Sequence, residues 1–168
     1  EEAVNWLKSI IDEVNIKILH YAEEHVDATG LGTTCVCAVL TNEFLIFGNI
    51  GDSSGFVKKD GKLYKVTKDH SLVNILVESG ELSMEEAKIH PQKNVLMKAL
   101  GATEKVEVDI FDVETNIDEI ILCSDGLTNM LTIEQIEKVL NDPELSVEEK
   151  VDKLIMKSNA RGGNDNIT

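Results

Sequence analysis

Three aspartates stand beside apolar runs at points where glycine lets the backbone bend. They are Asp52 in NIGDSS, Asp125 in LCSDGL and Asp165 in GGNDNIT. Bends at strand ends could bring the three carboxylates to a common point at a sheet edge, where they would repel one another unless a divalent cation neutralised them. Oxygen ligands without Cys or His favour Mg²⁺ or Mn²⁺ over zinc. Gly-Asp and Asp-Gly are also ordinary turn dipeptides, so each aspartate taken singly is more typical of a turn.

A long amphipathic helix is predicted at the start of the chain, over about residues 2–26. Its apolar residues recur at alternating steps of three and four, which places them on one helix face. They are Val4, Leu7, Ile11, Val14, Ile18 and Tyr21. Three heptads could also form a short coiled coil, but the β-rich sequence that follows offers a surface on which this stripe can pack.

Four β-rich runs follow the helix: TTCVCAVL, EFLIFGNI, SSGFVKK and KLYKVT. Their β-branched and aromatic residues favour strands, and turn residues separate them. Asp60-Gly61, between the last two runs, is a strong hairpin signal. Because the gaps are too short for crossover helices, we predict a meander of antiparallel strands rather than alternating strands and helices.

The pattern changes to short helical pieces over residues 70–101. The predicted pieces are SLVNILVESG, SMEEAKIH and NVLMKALG. Ser83 and Glu86 form a capping box at the start of the second piece, and Pro91 separates it from the third. His70 and His90, at either end of the first two pieces, are interpreted as structural residues that cap or pack.

Strands return in the last third of the chain at KVEVDIFDVE and DEIILCSD. Helices are predicted at about residues 132–141 and 146–159, the second with a capping box formed by Ser146 and Glu149. The final residues, NIT, resemble the start of another strand. In the second strand run, the apolar residues would anchor Asp125 in the core while Gly126 lets the chain turn away.

Composition indicates one globular domain of 168 residues, of which 42% are hydrophobic. The formal charge is −15, with 16 basic and 31 acidic residues, so nucleic acid and anionic membrane surfaces are unfavourable partners. No apolar run approaches the ~20 residues needed to cross a bilayer, and the N-terminus lacks the basic start of a signal peptide. Cys35, Cys37 and Cys123 lie in apolar runs and are interpreted as reduced core residues. A cytoplasmic protein is expected.

Five motifs in order along the chain resemble the metal-dependent serine/threonine protein phosphatases of type 2C, also called the PPM family, and in particular their bacterial members. They are GLGTT at 30–34, GNIGDSSGFV at 48–57, TKDHSLVNILVESGELSMEEAKIHPQKNVLMKALG at 67–101, LCSDGLTNML at 122–131 and GGNDNIT at 162–168. The resemblance covers essentially the whole chain. The motif order is specific, whereas SDG or GD alone would carry little information.

The resemblance implies an α+β fold, a four-layer αββα sandwich of two antiparallel sheets flanked by helices. It implies two or three Mg²⁺ or Mn²⁺ ions in the complete enzyme. Asp125 and Asp165 match the ligands of the central metal pair, and Asp52 with Asp125 matches the ligands of a third, more weakly held ion. Residues 70–101 match a flap beside the site that would influence substrate access.

The resemblance also implies the chemistry: hydrolysis of phosphoserine and phosphothreonine by a metal-activated water, without a phosphoenzyme. Metal ions would offset charge on the phosphoryl oxygens, and an acid would protonate the leaving alkoxide. Residues 1–168 would form a single phosphatase-like domain, with phosphoproteins made by Ser/Thr kinases as substrates. No catalytic residue beyond the metal ligands is assigned.

The chain departs from the family pattern in two places. Family members have motifs upstream of the long helix, an Arg-bearing strand that grips phosphate and a DGMGGH-like turn with a further ligand, so we expect this domain to be truncated at its N-terminus and at its C-terminal strand. Arg161, the only arginine, does not match the phosphate-gripping residue. Ser54 stands where GDSR is usual, which alters the surroundings of Asp52. The alternative function is therefore a catalytically inactive phosphatase-like fragment or a partner-binding module.

Overall fold

Two three-stranded antiparallel sheets form the centre of the computed structural model, which describes residues 1–168. One sheet has the strand order β1-β2-β5 and the other β4-β3-β6. The strands are β1 (Cys35–Leu40), β2 (Leu45–Ile50), β3 (Ser54–Lys59), β4 (Lys62–Lys65), β5 (Asp109–Val113) and β6 (Glu119–Cys123).

Six α-helices surround the sheets. They are α1 (Glu2–Glu24), α2 (Leu72–Glu78), α3 (Met84–Ile89), α4 (Asp125–Thr128), α5 (Ile133–Leu140) and α6 (Val147–Ala160), with a short 3₁₀ turn at Val26–Ala28. No helix combines the length and the hydropathy that a membrane span requires.

Three apolar clusters hold the layers together. Leu7 and Ile11 of α1 pack with Ile46 and Ile50 on the outer face of the first sheet. Leu45, Phe47 and Val57 lie buried between the sheets. The third cluster joins the second sheet to α4, α5 and α6 and consists of Phe56, Leu63, Cys123, Leu127, Leu131, Ile136, Val139, Leu140 and Leu154. The predicted four-layer sandwich is thereby confirmed.

Local sequence signals placed several elements correctly. The first helix forms, and its apolar stripe packs on a sheet as expected rather than into a coiled coil. Asp60 and Gly61 both adopt positive φ in the hairpin between β3 and β4. The predicted capping boxes at Ser83 and Ser146 are present, and Thr132 with Gln135 forms a third, whose Thr-x-x-Gln pattern was not recognised in the sequence.

Two sequence predictions are wrong. The four β-rich runs do not form one meander, because the chain crosses between sheets after β2, and β2 pairs with β5 while β3 pairs with β6. The piece NVLMKALG is not helical. Its backbone groups bond to distant segments instead: Met97 N–H donates to the His70 carbonyl (2.7 Å), and Leu100 exchanges hydrogen bonds with Thr33 (2.8 and 3.1 Å).

Candidate active site

Asp52 lies in the crossing between the two sheets, in the three-residue turn that joins β2 to β3. Gly51, the residue before it, has a φ of +100°, and a Cβ there would collide with the side chain of Thr34. Only glycine fits this conformation and this space. The turn is held on its other side by a 2.7 Å hydrogen bond between the Ser53 and Thr34 hydroxyls. Asp52 therefore projects, half-buried, from a well-fixed backbone.

Asp125 is the first residue of α4, immediately beyond the end of β6. The Asn129 amide donates a 3.0 Å hydrogen bond to Asp125 Oδ2 and so orients the carboxylate. Gly126 has a different role from the one predicted, because it does not turn the chain with an unusual φ. It is buried in the helix, and a Cβ there would collide with the Asn166 carbonyl.

Asp165 reaches the same end of the molecule through contacts with Ser124. The backbone N–H of Ser124 donates to the Thr168 carbonyl (3.0 Å), and its hydroxyl donates to the Asn166 carbonyl (3.2 Å). These bonds tie the last residues beside the end of β6. Asp165 is exposed, and its Oδ1 accepts a hydrogen bond from the Asn166 N–H at 2.7 Å.

The three predicted aspartates form a chain of neighbours with Asp125 in the middle. Burial and the charge of Asp125 raise the pKa of Asp52 to about 6. Burial and the charge of Asp165 raise the pKa of Asp125. Ionised carboxylates in this arrangement destabilise one another, and a bound divalent cation would offset that repulsion.

These residues suit a divalent cation that keeps several of its water ligands rather than one surrounded by protein ligands alone. The donors are carboxylate oxygens, and no three His, Cys, Asp or Glu side chains are close enough together to form a ready-made metal cage. Mg²⁺ commonly binds through one or two carboxylates and retains several waters, whereas structural zinc takes four protein ligands. The donor set is therefore compatible with Mg²⁺ or Mn²⁺.

An open groove of about 770 Å³ runs past Asp52 and Asp125. Its lining comes from α2, α3 and the residues after them, together with α4, the start of α5 and Arg161. The apolar lining includes Val73, Val77 and Met84 from the first group and Ile133 from the second. Asp165 lies outside the lining.

Asp69 is the residue of this site that sequence reasoning missed. It lines the groove, and its charge acts to raise the pKa of both Asp52 and Asp125. Lys65 forms a 2.8 Å ion pair with Asp69. Its positive charge acts to lower the pKa of Asp52 and so partly offsets the effect of the neighbouring aspartates. The available signal was the position of Asp69 in TKDHS, one of the five ordered motifs, but no apolar strand adjoins it.

Comparison with known proteins gives the same class as the fold and the carboxylate cluster. The family model described as Protein phosphatase 2C matches residues 1–161. The Serine/threonine phosphatase stp of Listeria welshimeri is 46% identical over 169 residues, which is 100% of this chain and 67% of the relative. The chain belongs to the protein phosphatase 2C family of bacterial serine/threonine phosphatases.

Two solved structures show the extent of the likeness. Serine/threonine phosphatase Stp1 from Staphylococcus aureus superimposes with a TM-score of 0.93 at 36% identity, over 99% of this chain and 65% of that protein. The catalytic domain of the phosphatase PstP, in complex with two manganese ions, gives 0.82 at 32% identity, over 96% of this chain and 66% of that one. The present chain thus spans about two thirds of the length of these proteins.

Proposed function

We infer that this chain hydrolyses phosphoserine and phosphothreonine in proteins, with Asp52, Asp125 and Asp165 as ligands of Mg²⁺ or Mn²⁺. The observation that carries the proposal is that Asp52 and Asp125 both line an open groove and that the pKa of both carboxyls is raised. Asp125 and Asp165 would hold the central ions, and Asp52 with Asp125 a third.

Each proposed ligand has a defined support. The Asn129 amide donates a hydrogen bond to one oxygen of Asp125 and so orients the carboxylate. Asp52 is held by the turn between the sheets, and Asp165 by the hydrogen bonds of the following residues to Ser124. When bound, divalent cations supply a water of lowered pKa and offset charge on a phosphoryl group. The contribution of the protein is thus to place carboxylates rigidly where that water is needed.

The groove supports a phosphorylated segment of a protein as the substrate. The groove has a volume of about 770 Å³ and is lined in part by α2 and α3, which belong to the proposed flap of residues 70–101. Lys88, Lys93 and Arg161 in the lining are the groups able to attract the dianionic phosphate to an otherwise acidic surface. Substrates of Ser/Thr kinases carry this chemistry, and the three free cysteines fit a reducing compartment such as the cytoplasm.

The test is phosphate release from phosphoserine and phosphothreonine peptides in the presence of Mn²⁺. We expect turnover by the unaltered chain, loss of it in Asp125→Asn, and no loss in Asp152→Asn. The control makes the same chemical change at an exposed residue of α6. Turnover that survives Asp125→Asn would refute the proposal. Mn²⁺ binding without turnover at any metal concentration would favour the alternative, a catalytically inactive phosphatase-like fragment or a partner-binding module.

A further inference from the structure

A buried histidine holds the turn that presents Asp52. The Gly51 N–H donates to His70 Nδ1 at 3.0 Å, and the His70 N–H donates to the Gly51 carbonyl at 2.9 Å. The His70 side chain is only 8% exposed. These reciprocal bonds join the residue next to Asp52 to the start of the flap, 19 positions along the chain.

The other edge of the imidazole ring is fixed as well. His70 Nε2 lies 2.9 Å from Asp109 Oδ2, and Lys98 Nζ lies 3.1 Å from Asp109 Oδ1. Because Nδ1 accepts a hydrogen bond from a backbone N–H, the ring proton is on Nε2 and is donated to Asp109. Partial burial acts to raise the pKa of Asp109, but the hydrogen bonds from His70 and Lys98 outweigh it and lower that pKa.

This contact determines the direction of the Gly51 amide. A buried N–H that loses its acceptor is destabilised, so the peptide tends to rotate toward another partner. This N–H belongs to the peptide between Ile50 and Gly51, and its rotation would change the φ of Gly51, now +100°, which sets the direction in which the chain continues to Asp52. His70 also accepts a 2.7 Å hydrogen bond from the Met97 N–H, so the same residue connects the beginning and the end of the flap to the turn.

We propose that His70 is a positioning residue for Asp52: it acts through the Gly51 amide, and Asp109 holds the ring in the required tautomer. This rests on the proposed function, because it takes Asp52 as a metal ligand. The imidazole does not touch the metal or the substrate. Its effect is to hold the Asp52 carboxylate in a position from which it can bind a cation.

The test compares two substitutions of similar size that retain opposite edges of the ring. In His70→Asn, the side-chain oxygen takes the place of Nδ1 and keeps the acceptor for Gly51. In His70→Gln, the longer side chain reaches the place of Nε2 and keeps a donor for Asp109, leaving the Gly51 N–H without its acceptor. Mn²⁺ dissociation constants of the full chain are measured from the electron paramagnetic resonance signal of free Mn²⁺.

We expect His70→Gln to weaken Asp52-dependent Mn²⁺ binding by about 10–100-fold, the usual effect of removing support behind a metal ligand, and His70→Asn to retain most of the affinity. In an Asp52→Asn background, His70→Gln should cause little further loss, since the carboxylate that it positions is gone. Equal losses in the two His70 variants, or the same loss from His70→Gln with and without Asp52, would overturn the proposal.

The outcome separates this inference from the proposed function. Asp52-dependent Mn²⁺ binding that is unchanged in His70→Gln overturns the positioning role alone. Binding that does not depend on Asp52 also overturns the positioning role and removes Asp52 from the proposed ligands, whereas the proposed hydrolysis is decided by Asp125→Asn. Nitrogen-15 spectra of His70 in the unaltered chain provide a measurement that needs no variant to fold. They should show the Nε2–H tautomer, and an Nδ1–H tautomer would contradict the proposal.

Discussion

The two ends of the strand pair β3 and β6 carry carboxylates in opposite electrostatic states. At one end, Glu119 faces Lys58 across the ladder, and at the other, Cys123 faces Ser54 just before the chain reaches Asp125. The strands and their pairing are the same, so the difference comes from the side chains that surround each carboxylate.

Glu119 is balanced by two lysines. Its Oε1 lies 3.2 Å from Lys58 Nζ and 2.8 Å from Lys150 Nζ. Burial acts to raise the pKa of Glu119, but the hydrogen bonds and charges of the two lysines lower it. At the other end, the neighbours of Asp125 include Asp52, Asp69 and Asp165, and its pKa is raised. Removing a balanced carboxylate leaves buried partner charges uncompensated, whereas carboxylates whose pKa is raised by like charges are typical of functional sites.

The largest expected effect is a loss of stability at the Glu119 end of the strand pair. Glu119→Gln leaves two lysines without their anion, with side chains only 10% and 13% exposed. We expect the free energy of unfolding to fall by about 3 kcal/mol, as when one partner of a buried pair is removed. Urea denaturation measures it. Glu114→Gln, where the glutamate side chain is 83% exposed in its pair with Lys59, should cost less than about 1 kcal/mol. Equal losses in both variants would remove the contrast between the two ends.

At the Asp125 end of the strand pair, metal binding should change the stability of the chain. A cation that binds only the folded chain stabilises it by about 2.7 kcal/mol when present at one hundred times its dissociation constant. We expect Mn²⁺ to raise the midpoint of thermal unfolding in the unaltered chain and in Asp152→Asn, but not in Asp125→Asn. A rise of equal size in Asp125→Asn would place the cation elsewhere.

A smaller change in stability is expected when Asp52 is replaced in the metal-free chain. Its pKa is about 6 in the folded chain, above the ordinary value of 3.8. The folded state is therefore unpenalised below about pH 4, and the cost of ionising Asp52 grows from there and is complete once the pH has passed its folded pKa of about 6. Because Asp52 is half-buried and screened by solvent, we expect Asp52→Asn to stabilise the metal-free chain by about 1 kcal/mol at pH 8 and by nothing measurable at pH 4.

Urea denaturation at the two pH values tests this sign, with Asp152→Asn as the matched control. The control should show no gain at either pH. A destabilising effect of Asp52→Asn at pH 8 would mean that Asp52 is a structural carboxylate like Glu119, and the contrast between the two strand ends would fail.

Local sequence signals predicted much of the fold because neighbouring residues carry that information. The stripe of α1, the hairpin at Asp60-Gly61 and the capping box at Ser83 each depend on residues a few positions apart. The segment at 94–101 has apolar residues but no regular helix, because its hydrogen bonds go to Thr33 and His70, and no local pattern encodes such distant partners.

The candidate site was predictable in part for the same reason. Asp52 and Asp125 follow strands and adjoin glycine, a signal visible in the sequence. Asp69 was missed because its proximity to them arises only when the two sheets pack together. The acceptor role of His70 depends on the sharp crossing at Gly51, which the expected meander did not contain.

The central claim is that the unbalanced carboxylates of Asp52, Asp125 and Asp165 bind the divalent cations. A crystal structure of the chain grown with Mn²⁺, with the ions located by their anomalous scattering, tests it most directly. We predict anomalous peaks at bonding distance from carboxylate oxygens of Asp125 and of at least one of the other two aspartates. A fully occupied Mn²⁺ that contacts none of the three, or no peak there at saturating metal, would contradict the account.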